Sequence, residues 1–309
     1  MSDTISVIDI GTNSALLLVV RYVRGEFVSI YEESQTPRLG AGFAETGRIA
    51  PQSTARLVKT LRHYKQISAV HGASVILAVG TQVFRMARNA REVIHEVADR
   101  TGIRIMVLSS RQEASYAFCG ALSGLPYIQS GVLVDIGGGS TELVPFHRRT
   151  IVSTLSLPLG CVTLAETCLR RFYGISDRRV ETARAMVGKL FRKLSREYRR
   201  SFGSIIGVGG TVTTLAALDQ RLRTYRADRV HGYHLNGKSI EQYVERFRRT
   251  PAAQLRQAIR FDPDRAAVLP AGTFLWAEVL KHLSARCITV SHRGLRWGLA
   301  LEYFTKTRR

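Results

Sequence analysis

The chain of 309 residues carries 45 Lys and Arg against 24 Asp and Glu, a formal net charge of +21. Its length is enough for two domains with a core each. Hydrophobic residues make up 45% of the chain, which is ordinary for a soluble globular protein. The basic excess favours a polyanionic ligand, such as nucleic acid, an anionic membrane or a phosphate-rich substrate, and composition does not choose among these.

No export or membrane segment is predicted. The N-terminus has no basic segment leading into a long apolar one, and the apolar run ALLLVV at 15–20 is far too short to span a bilayer. The four cysteines fit no zinc-binding spacing, so we expect buried free thiols. These features predict a soluble, cytoplasmic protein with no membrane partner.

The first part of the chain alternates between strand and helix patterns. Strands are predicted at 5–10 and 15–20, joined by a turn at 11–14. The remaining elements are a strand at 25–34, a helix at 54–70, a strand at 73–80, a helix at 89–102 and a strand at 103–109. This alternation indicates an α/β domain.

The second part begins after a Gly-, Pro- and Ser-rich stretch at 123–131. Residues 131–146 repeat the pattern of residues 5–20, which indicates two similar halves. The later predictions are a strand at 150–160, helices at 177–200 and 238–249, a strand–turn–helix unit at 203–218, a helix at 265–283, and a strand, turn and final helix at 286–304.

Two similar turns interrupt these hairpins with an acid and small polar residues. Asp9 is followed by Gly11, Thr12, Asn13 and Ser14, and Asp135 by GGGSTE at 137–142. Such turns bind phosphate because glycine lets backbone N–H groups approach an anion and hydroxyls add donors. A carboxylate beside a phosphate requires a cation such as Mg²⁺ between them. The alternative is a pair of ordinary tight hairpins, for which Gly, Asn and Asp are common.

A third glycine-rich turn, GVGGT at 207–211, also follows an apolar strand. It could contact a nucleotide base or more phosphate, or it could be only a close strand-to-helix turn.

Together, DIGTNS (9–14), DIGGGSTE (135–142) and GVGGT resemble the phosphate 1, phosphate 2 and adenosine motifs of the actin-like ATPase superfamily. More narrowly, the chain resembles the exopolyphosphatase/guanosine pentaphosphate phosphatase family, nearly from end to end. Further stretches carry this resemblance: TPRLGAGFAETGRI (36–49), AVGTQVFRMARNA (78–90), LSSRQEA (108–114), LSLPLGCVTLAE (155–166), RVHGYHL (229–235), VLPAG (268–272) and SHRGLRWG (291–298).

The resemblance implies an α/β fold of two ribonuclease-H-like, actin-like ATPase domains with an interdomain cleft. We expect an N-terminal domain at 1–124, joined by the C-terminal helix at 299–309, and a second domain at 125–298. The sequence has no counterpart of the additional C-terminal helical domain of longer family members. The family also implies a homodimer.

The resemblance also implies the site residues. Glu113 matches the catalytic base that orients the attacking water, although the acid that usually precedes it is here Gln112. Asp135 and Glu142 match the ligands of a divalent metal, Mg²⁺ or Mn²⁺. The remaining matches bind phosphate: Asn13, Ser14, Arg85, Gly137, Gly138, Gly139 and Ser140. These types suit phosphoryl transfer to water, which needs a base, a cation and donors to the phosphate oxygens. Without the resemblance, Glu113 would be read as a solvated helix residue.

The implied substrate is inorganic polyphosphate or guanosine pentaphosphate (pppGpp). The basic excess favours polyphosphate. The side chains that could follow such a chain are Arg192, Lys193, Arg196, Arg199 and Arg200 on the predicted helix at 177–200, and Arg221, Arg223, Arg226 and Arg229 after the third turn. A non-catalytic polyanion-binding sensor is the alternative of another class. Nucleic acid is not favoured as a partner, because stacking aromatic residues are too sparse among the basic ones, and the supporting stretches disfavour a sugar or acetate kinase.

Overall fold

A computed structural model describes residues 4–23, 26–169, 172–192 and 203–307. The chain divides into two compact units. Unit 1 comprises Met1–Gly120 and Gly294–Arg309, and unit 2 comprises Ala121–Arg293. Of the arginines and lysines predicted to follow polyphosphate, Lys193, Arg196, Arg199 and Arg200 lie outside the described residues.

Unit 1 contains a five-stranded sheet in the order β3-β2-β1-β4-β5 among its described residues. Its strands are β1 (Thr4–Ile10), β2 (Ala15–Val23), β3 (Glu26–Gln35), β4 (Val75–Gly80) and β5 (Ile105–Val107). The first three pair antiparallel, whereas β4 and β5 run parallel to β1. This is the topology expected of a ribonuclease-H-like domain.

Strand β1 is buried on both faces, so its side chains divide between two cores. Ile8 and Ile10 pack in one cluster, and Ile5 and Val7 pack in the other. Because side chains alternate along a strand, Asp9 lies on the same face as Val7. That face is covered by the last helix of the chain, through residues such as Trp297.

The helices of unit 1 cover both faces of the sheet. They are α1 (Phe43–Thr46), α2 (Pro51–Val70), α3 (Gln82–Met86), α4 (Ala90–Thr101), α5 (Ser110–Leu122) and the C-terminal helix α13 (Leu295–Thr307). Helices α5 and α13 approach closely at two glycines. A Cβ atom on Gly298 would lie 2.0 Å from the carbonyl oxygen of Tyr116, and one on Gly120 would lie 2.0 Å from that of Gly294. The crossing therefore requires residues without side chains.

Unit 2 has an enlarged version of the same sheet, in the order β11-β12-β10-β6-β7-β8, with β9 paired to β7. Its strands are β6 (Ser130–Ile136), β7 (Thr141–His147), β8 (Thr150–Ile151), β9 (Leu155–Leu157), β10 (Ile205–Val208), β11 (His234–Asn236) and β12 (Cys287–Val290). Strands β6, β7 and β8 pair antiparallel, and β10 and β12 continue parallel to β6. Hairpin β6–β7 thus repeats hairpin β1–β2, as the sequence echo predicted.

The helices of unit 2 enclose one large core that includes the fully buried Trp276. They are α6 (Cys161–Thr167), α7 (Asp177–Arg192), α8 (Gly210–Asp219), α9 (Ala227–Val230), α10 (Gly237–Arg248), α11 (Ala252–Ala258) and α12 (Leu269–His282), with a 3-10 turn at Pro263–Ala267. Across the described residues, no helix is both long enough and apolar enough to span a bilayer.

Three predictions need correction. The strand predicted at 150–160 is two short strands, β8 and β9, separated by residues 152–154, which are in neither helix nor strand. The helix predicted at 265–283 begins only at Leu269, because Pro270 is tolerated in the first turn of a helix and not inside one. The cysteines are free as expected, but Cys119 and Cys287 are exposed and not buried.

Candidate active site

The two phosphate-type loops have the same local architecture. In the first, the amide of Gly11 donates to the carbonyl of Ser14 (2.9 Å), and in the second the amide of Gly137 donates to that of Ser140 (3.0 Å). Asn13 lies at the tip of the first loop, where its Nδ2 donates to Ser14 Oγ over 3.3 Å. Both loops therefore contain the same backbone hydrogen bond and turn through small residues.

Neighbouring backbone fixes the second loop from one side. The amides of Cys161 and Val162, at the start of α6, donate to the carbonyls of Gly137 (2.9 Å) and Gly138 (2.8 Å). Gly160 makes this approach possible, since a Cβ there would lie 2.4 Å from the carbonyl carbon of Gly138. Among the described residues, the amides of Gly138 and Gly139 have no acceptor. They are donors suited to phosphate oxygens.

Asp135 and Glu142 oppose each other across the β6–β7 hairpin. They are directly paired in the antiparallel register, so their side chains share one face of the sheet. Glu142 is buried, and its Oε1 accepts a 2.8 Å hydrogen bond from Ser156 Oγ on β9. Ser156 is a residue that the sequence motifs did not single out.

These two carboxylates fit a hard divalent cation. Mg²⁺ is commonly held by one or two carboxylates, with waters and phosphate oxygens completing its shell. Throughout the described residues, no group of three or more His, Cys, Asp or Glu side chains could enclose a metal by itself. The donor set therefore fits a metal that arrives with its substrate and does not fit a closed structural site.

The first loop lacks the second carboxylate. Leu16 stands opposite Asp9 in the register, at the position that Glu142 takes opposite Asp135. The two hairpins thus share a backbone conformation but differ in charge. Of the two, only the β6–β7 hairpin of unit 2 has a pair of facing carboxylates that could bind a metal.

Glu113 lies in the first turn of α5 and forms an ion pair with Arg85 of α3. Arg85 Nη1 is 2.5 Å from Glu113 Oε2 and also donates to the carbonyl of Leu108 over 2.9 Å. The two side chains are only 18% and 13% exposed. The structure thus brings the predicted base and the predicted phosphate-binding arginine together within unit 1.

Burial decides the protonation of Glu113. Loss of solvent raises the pKa of its carboxyl above the usual value, and the adjacent Arg85 guanidinium opposes that rise. A carboxylate with a raised pKa is a stronger base near neutral pH. Glu113 is therefore not the solvated helix residue that its type alone would suggest.

Gln112 has a structural role at the start of α5. Its Oε1 accepts from the amide and the hydroxyl of Ser109 (3.0 and 2.9 Å), and its own amide donates to Ser109 Oγ over 3.3 Å. This is a capping box, which satisfies donors at the helix N-terminus. The glutamine that replaces the expected acid therefore fixes the turn that presents Glu113.

Asp9 is a second carboxyl near Glu113, for which the sequence left two roles open: to face the metal through water or only to brace the turn. Its Oδ1 is shielded from solvent and has no hydrogen-bond partner. Burial, together with the nearby Glu113 charge, raises the pKa of Asp9 to about 7, and Arg296 opposes the rise. Arg296 comes from α13 and is held by the carbonyl of Leu17 (2.6 Å) and by Glu32 (3.1 Å).

We expect Asp9→Asn to remove a pH dependence of stability. In the unfolded chain Asp9 ionises near its ordinary pKa of 3.8, whereas in the folded chain it keeps its proton up to about pH 7. Wild-type stability from this group therefore falls as the pH rises between those values. The quantity to compare is the unfolding midpoint of the variant minus that of the wild type. This difference should be larger at pH 8 than at pH 5. An equal difference at both pH values would contradict the assignment.

The third turn contacts both Asp135 and a cation that the motifs did not identify. Gly209 has φ of 97°, and a Cβ there would lie 3.1 Å from Asp135 Oδ1. The guanidinium of Arg265 covers Gly210 so closely that a Cβ would lie 2.0 Å from its Nη1. Arg265 is oriented by Asp262 Oδ2 at 2.7 Å. In the sequence it stands three residues before VLPAG (268–272), outside the motifs.

Comparison with known proteins agrees with this architecture. Residues 18–307 match the Ppx/GppA phosphatase family. Exopolyphosphatase 2 of Mycobacterium tuberculosis is 31% identical over 324 residues, covering 96% of this chain and 98% of that protein. The crystal structure of the Aquifex aeolicus Ppx/GppA family member has a TM-score of 0.81 at 28% identity and covers 99% of both chains. That of an exopolyphosphatase-like protein has a TM-score of 0.89 at 27% identity, covering 100% of this chain and 99% of the other. The two-domain actin-like fold predicted from the sequence is confirmed.

Proposed function

Because the chain belongs to the Ppx/GppA phosphatase family and is a phosphoanhydride hydrolase of the exopolyphosphatase type, we propose that it releases the terminal phosphate of inorganic polyphosphate. The observation that supports this most directly is the buried Glu113 carboxylate beside Arg85. The two side chains supply the base and the phosphate-binding cation that hydrolysis of a phosphoanhydride requires.

In the proposed reaction, Glu113 orients a water molecule and accepts its proton as the water oxygen bonds to the terminal phosphorus. The bond from that phosphorus to its bridging oxygen breaks, and the shortened chain leaves with the bridging oxygen. Arg85 stabilises charge on the terminal phosphate through its planar guanidinium group. Its present partner, Glu113, competes with the phosphate for that group. The amides of Gly138 and Gly139, with Ser140, Asn13 and Ser14, donate to non-bridging oxygens.

Asp135 and Glu142 would hold the divalent metal, Mg²⁺ or Mn²⁺. When bound, such an ion neutralises phosphate charge and orients the leaving oxygen. Ser156 keeps Glu142 Oε1 in place. The homodimer implied by the family stays a prediction.

Polyphosphate is preferred over pppGpp as the substrate because of the net charge of +21. The test is phosphate release from both substrates, each with and without EDTA. We expect a higher kcat/KM on polyphosphate, loss of activity with EDTA, and recovery with added Mg²⁺ or Mn²⁺. A much higher kcat/KM on pppGpp would make the protein a pppGpp 5′-phosphohydrolase. Binding of polyphosphate without release of phosphate from either substrate would make it a sensor.

A further inference from the structure

A strained hairpin turn in unit 2 carries two adjacent arginines. Strands β7 and β8 pair through His147 and Thr150, so the turn between them consists of Arg148 and Arg149 alone. Both residues have positive φ, 49° and 59°. Turns of this shape favour Asn-Gly, since side chains other than glycine and asparagine are disfavoured in the left-handed region. Two arginines are therefore an unfavourable choice for the backbone.

Contacts with the preceding segment hold this turn in place. The amide of Arg148 donates to the carbonyl of Gln129 over 2.6 Å. The guanidinium of Arg149 lies over the ring of Tyr127, 5.6 Å from its centroid, which is the geometry of a cation–π contact. The backbone of the turn and the side chain of Arg149 are thus held by contacts within the fold.

The turn and the chain segments next to it carry no acid. Residues 147–150 are all exposed, and neither Arg148 nor Arg149 has an ion-pair partner among the described residues. The adjoining stretches 125–132 and 146–153 contain no Asp or Glu. Guanidinium groups of adjacent residues, without an ion-pair partner, are suited to bind successive phosphates.

The turn lies at the far end of β7 from the phosphate-type loop at 137–140. Strand β7 runs from Thr141, beside that loop, to His147, beside the turn. At about 3.4 Å per residue, its length separates the two by about 20 Å. Only an extended polyanion could contact both.

We propose that the arginine turn, residues 147–150, is a second binding site for long polyphosphate, which holds a distal part of the chain during hydrolysis of its end. This inference rests on the proposed function. It predicts a dependence on chain length: the turn contributes to the affinity for long chains and contributes nothing for tripolyphosphate, which cannot cover the distance.

The test replaces the turn by the sequence that its backbone favours. In R148N/R149G the charges are lost while the strain is relieved, so the unfolding midpoint should not fall. We expect the Kd for long-chain polyphosphate, measured without metal, to rise roughly fivefold to tenfold, as for loss of two exposed ion pairs. The kcat/KM on tripolyphosphate should stay at the wild-type value. R148K/R149K, which keeps both charges, should bind long chains more tightly than R148N/R149G.

A matched control is R178Q/R179Q, which removes two adjacent exposed arginines of α7 in the same unit. It should change the Kd for long chains less than R148Q/R149Q does. Equal losses in these two variants, or an unchanged Kd in R148N/R149G, would overturn the proposal. So would a loss of affinity for a single-stranded RNA oligonucleotide in R148N/R149G without a loss for polyphosphate. If the wild type releases no phosphate from polyphosphate of any length, the proposed function fails, but the Kd values still test the turn.

Discussion

Glu113→Gln is expected to reduce kcat for phosphate release by a factor of about 10² to 10⁴, the usual contribution of a positioned base. Glutamine has nearly the shape of glutamate but cannot accept the proton of water. The substitution also releases Arg85 from its 2.5 Å ion pair. Arg85 then has no charged competitor for phosphate, so the binding of substrate should be no weaker than in the wild type. Initial rates on tripolyphosphate and equilibrium binding without metal measure the two effects separately.

The matched control for this variant is Glu96→Gln. Glu96 also pairs with an arginine, Arg100, but both side chains of that pair are more than 40% exposed. We expect wild-type kcat and an unchanged unfolding midpoint from the control. Wild-type kcat in Glu113→Gln itself would show that another group takes the proton, and weaker substrate binding would show that the ion pair positions Arg85 for its ligand.

Gly298→Ala is expected to destabilise unit 1 by about 3 kcal/mol, at the upper end of the usual cost of overpacking. The added Cβ would lie 2.0 Å from the carbonyl oxygen of Tyr116 and 2.6 Å from its carbonyl carbon. Both atoms belong to the backbone of α5 and cannot rotate away, so the two helices must separate. Since α5 also carries Glu113, activity should fall with stability. Urea unfolding and kcat on tripolyphosphate test the two consequences.

Gly294→Ala is the control for this helix crossing. Gly294 lies just before α13, and a Cβ there would have no other atom within 4 Å. The control should unfold within error of the wild type. A Gly298→Ala variant as stable as this control would mean that the two helices separate at little cost, and the close approach would then have no energetic importance.

The sequence predicted those parts of the fold that depend on local pattern. The repeat of residues 5–20 at 131–146 indicated two similar hairpins. In the structure both hairpins have the same strand register and the same hydrogen bond across their loop, from Gly11 to Ser14 and from Gly137 to Ser140. The spacing of Asp135 and Glu142 also indicates that they pair across the hairpin, because a loop of four residues between the two strands brings them opposite each other.

Contacts between distant parts of the chain could not be predicted in this way. Nothing near Asp9 in the sequence indicates that Arg296 approaches it from the last helix. Likewise, the pairing of Arg85 with Glu113 depends on how α3 and α5 follow the parallel strands. Burial, which makes Glu113 a stronger base, also depends on this tertiary packing and not on neighbouring residues.

The return of α13 to unit 1 bears on how the chain folds during synthesis. Residues of α13, including Leu295, Trp297 and Phe304, complete a core whose other members, such as Ile5 and Val7, are made first. Unit 2 is one continuous segment of the sequence, and along the chain it follows the first part of unit 1 and precedes the second. A ribosome-bound chain can therefore finish unit 2 while one face of the first sheet still lacks its helix. During that interval the growing chain exposes apolar surface of the kind that chaperones bind, until α13 covers it.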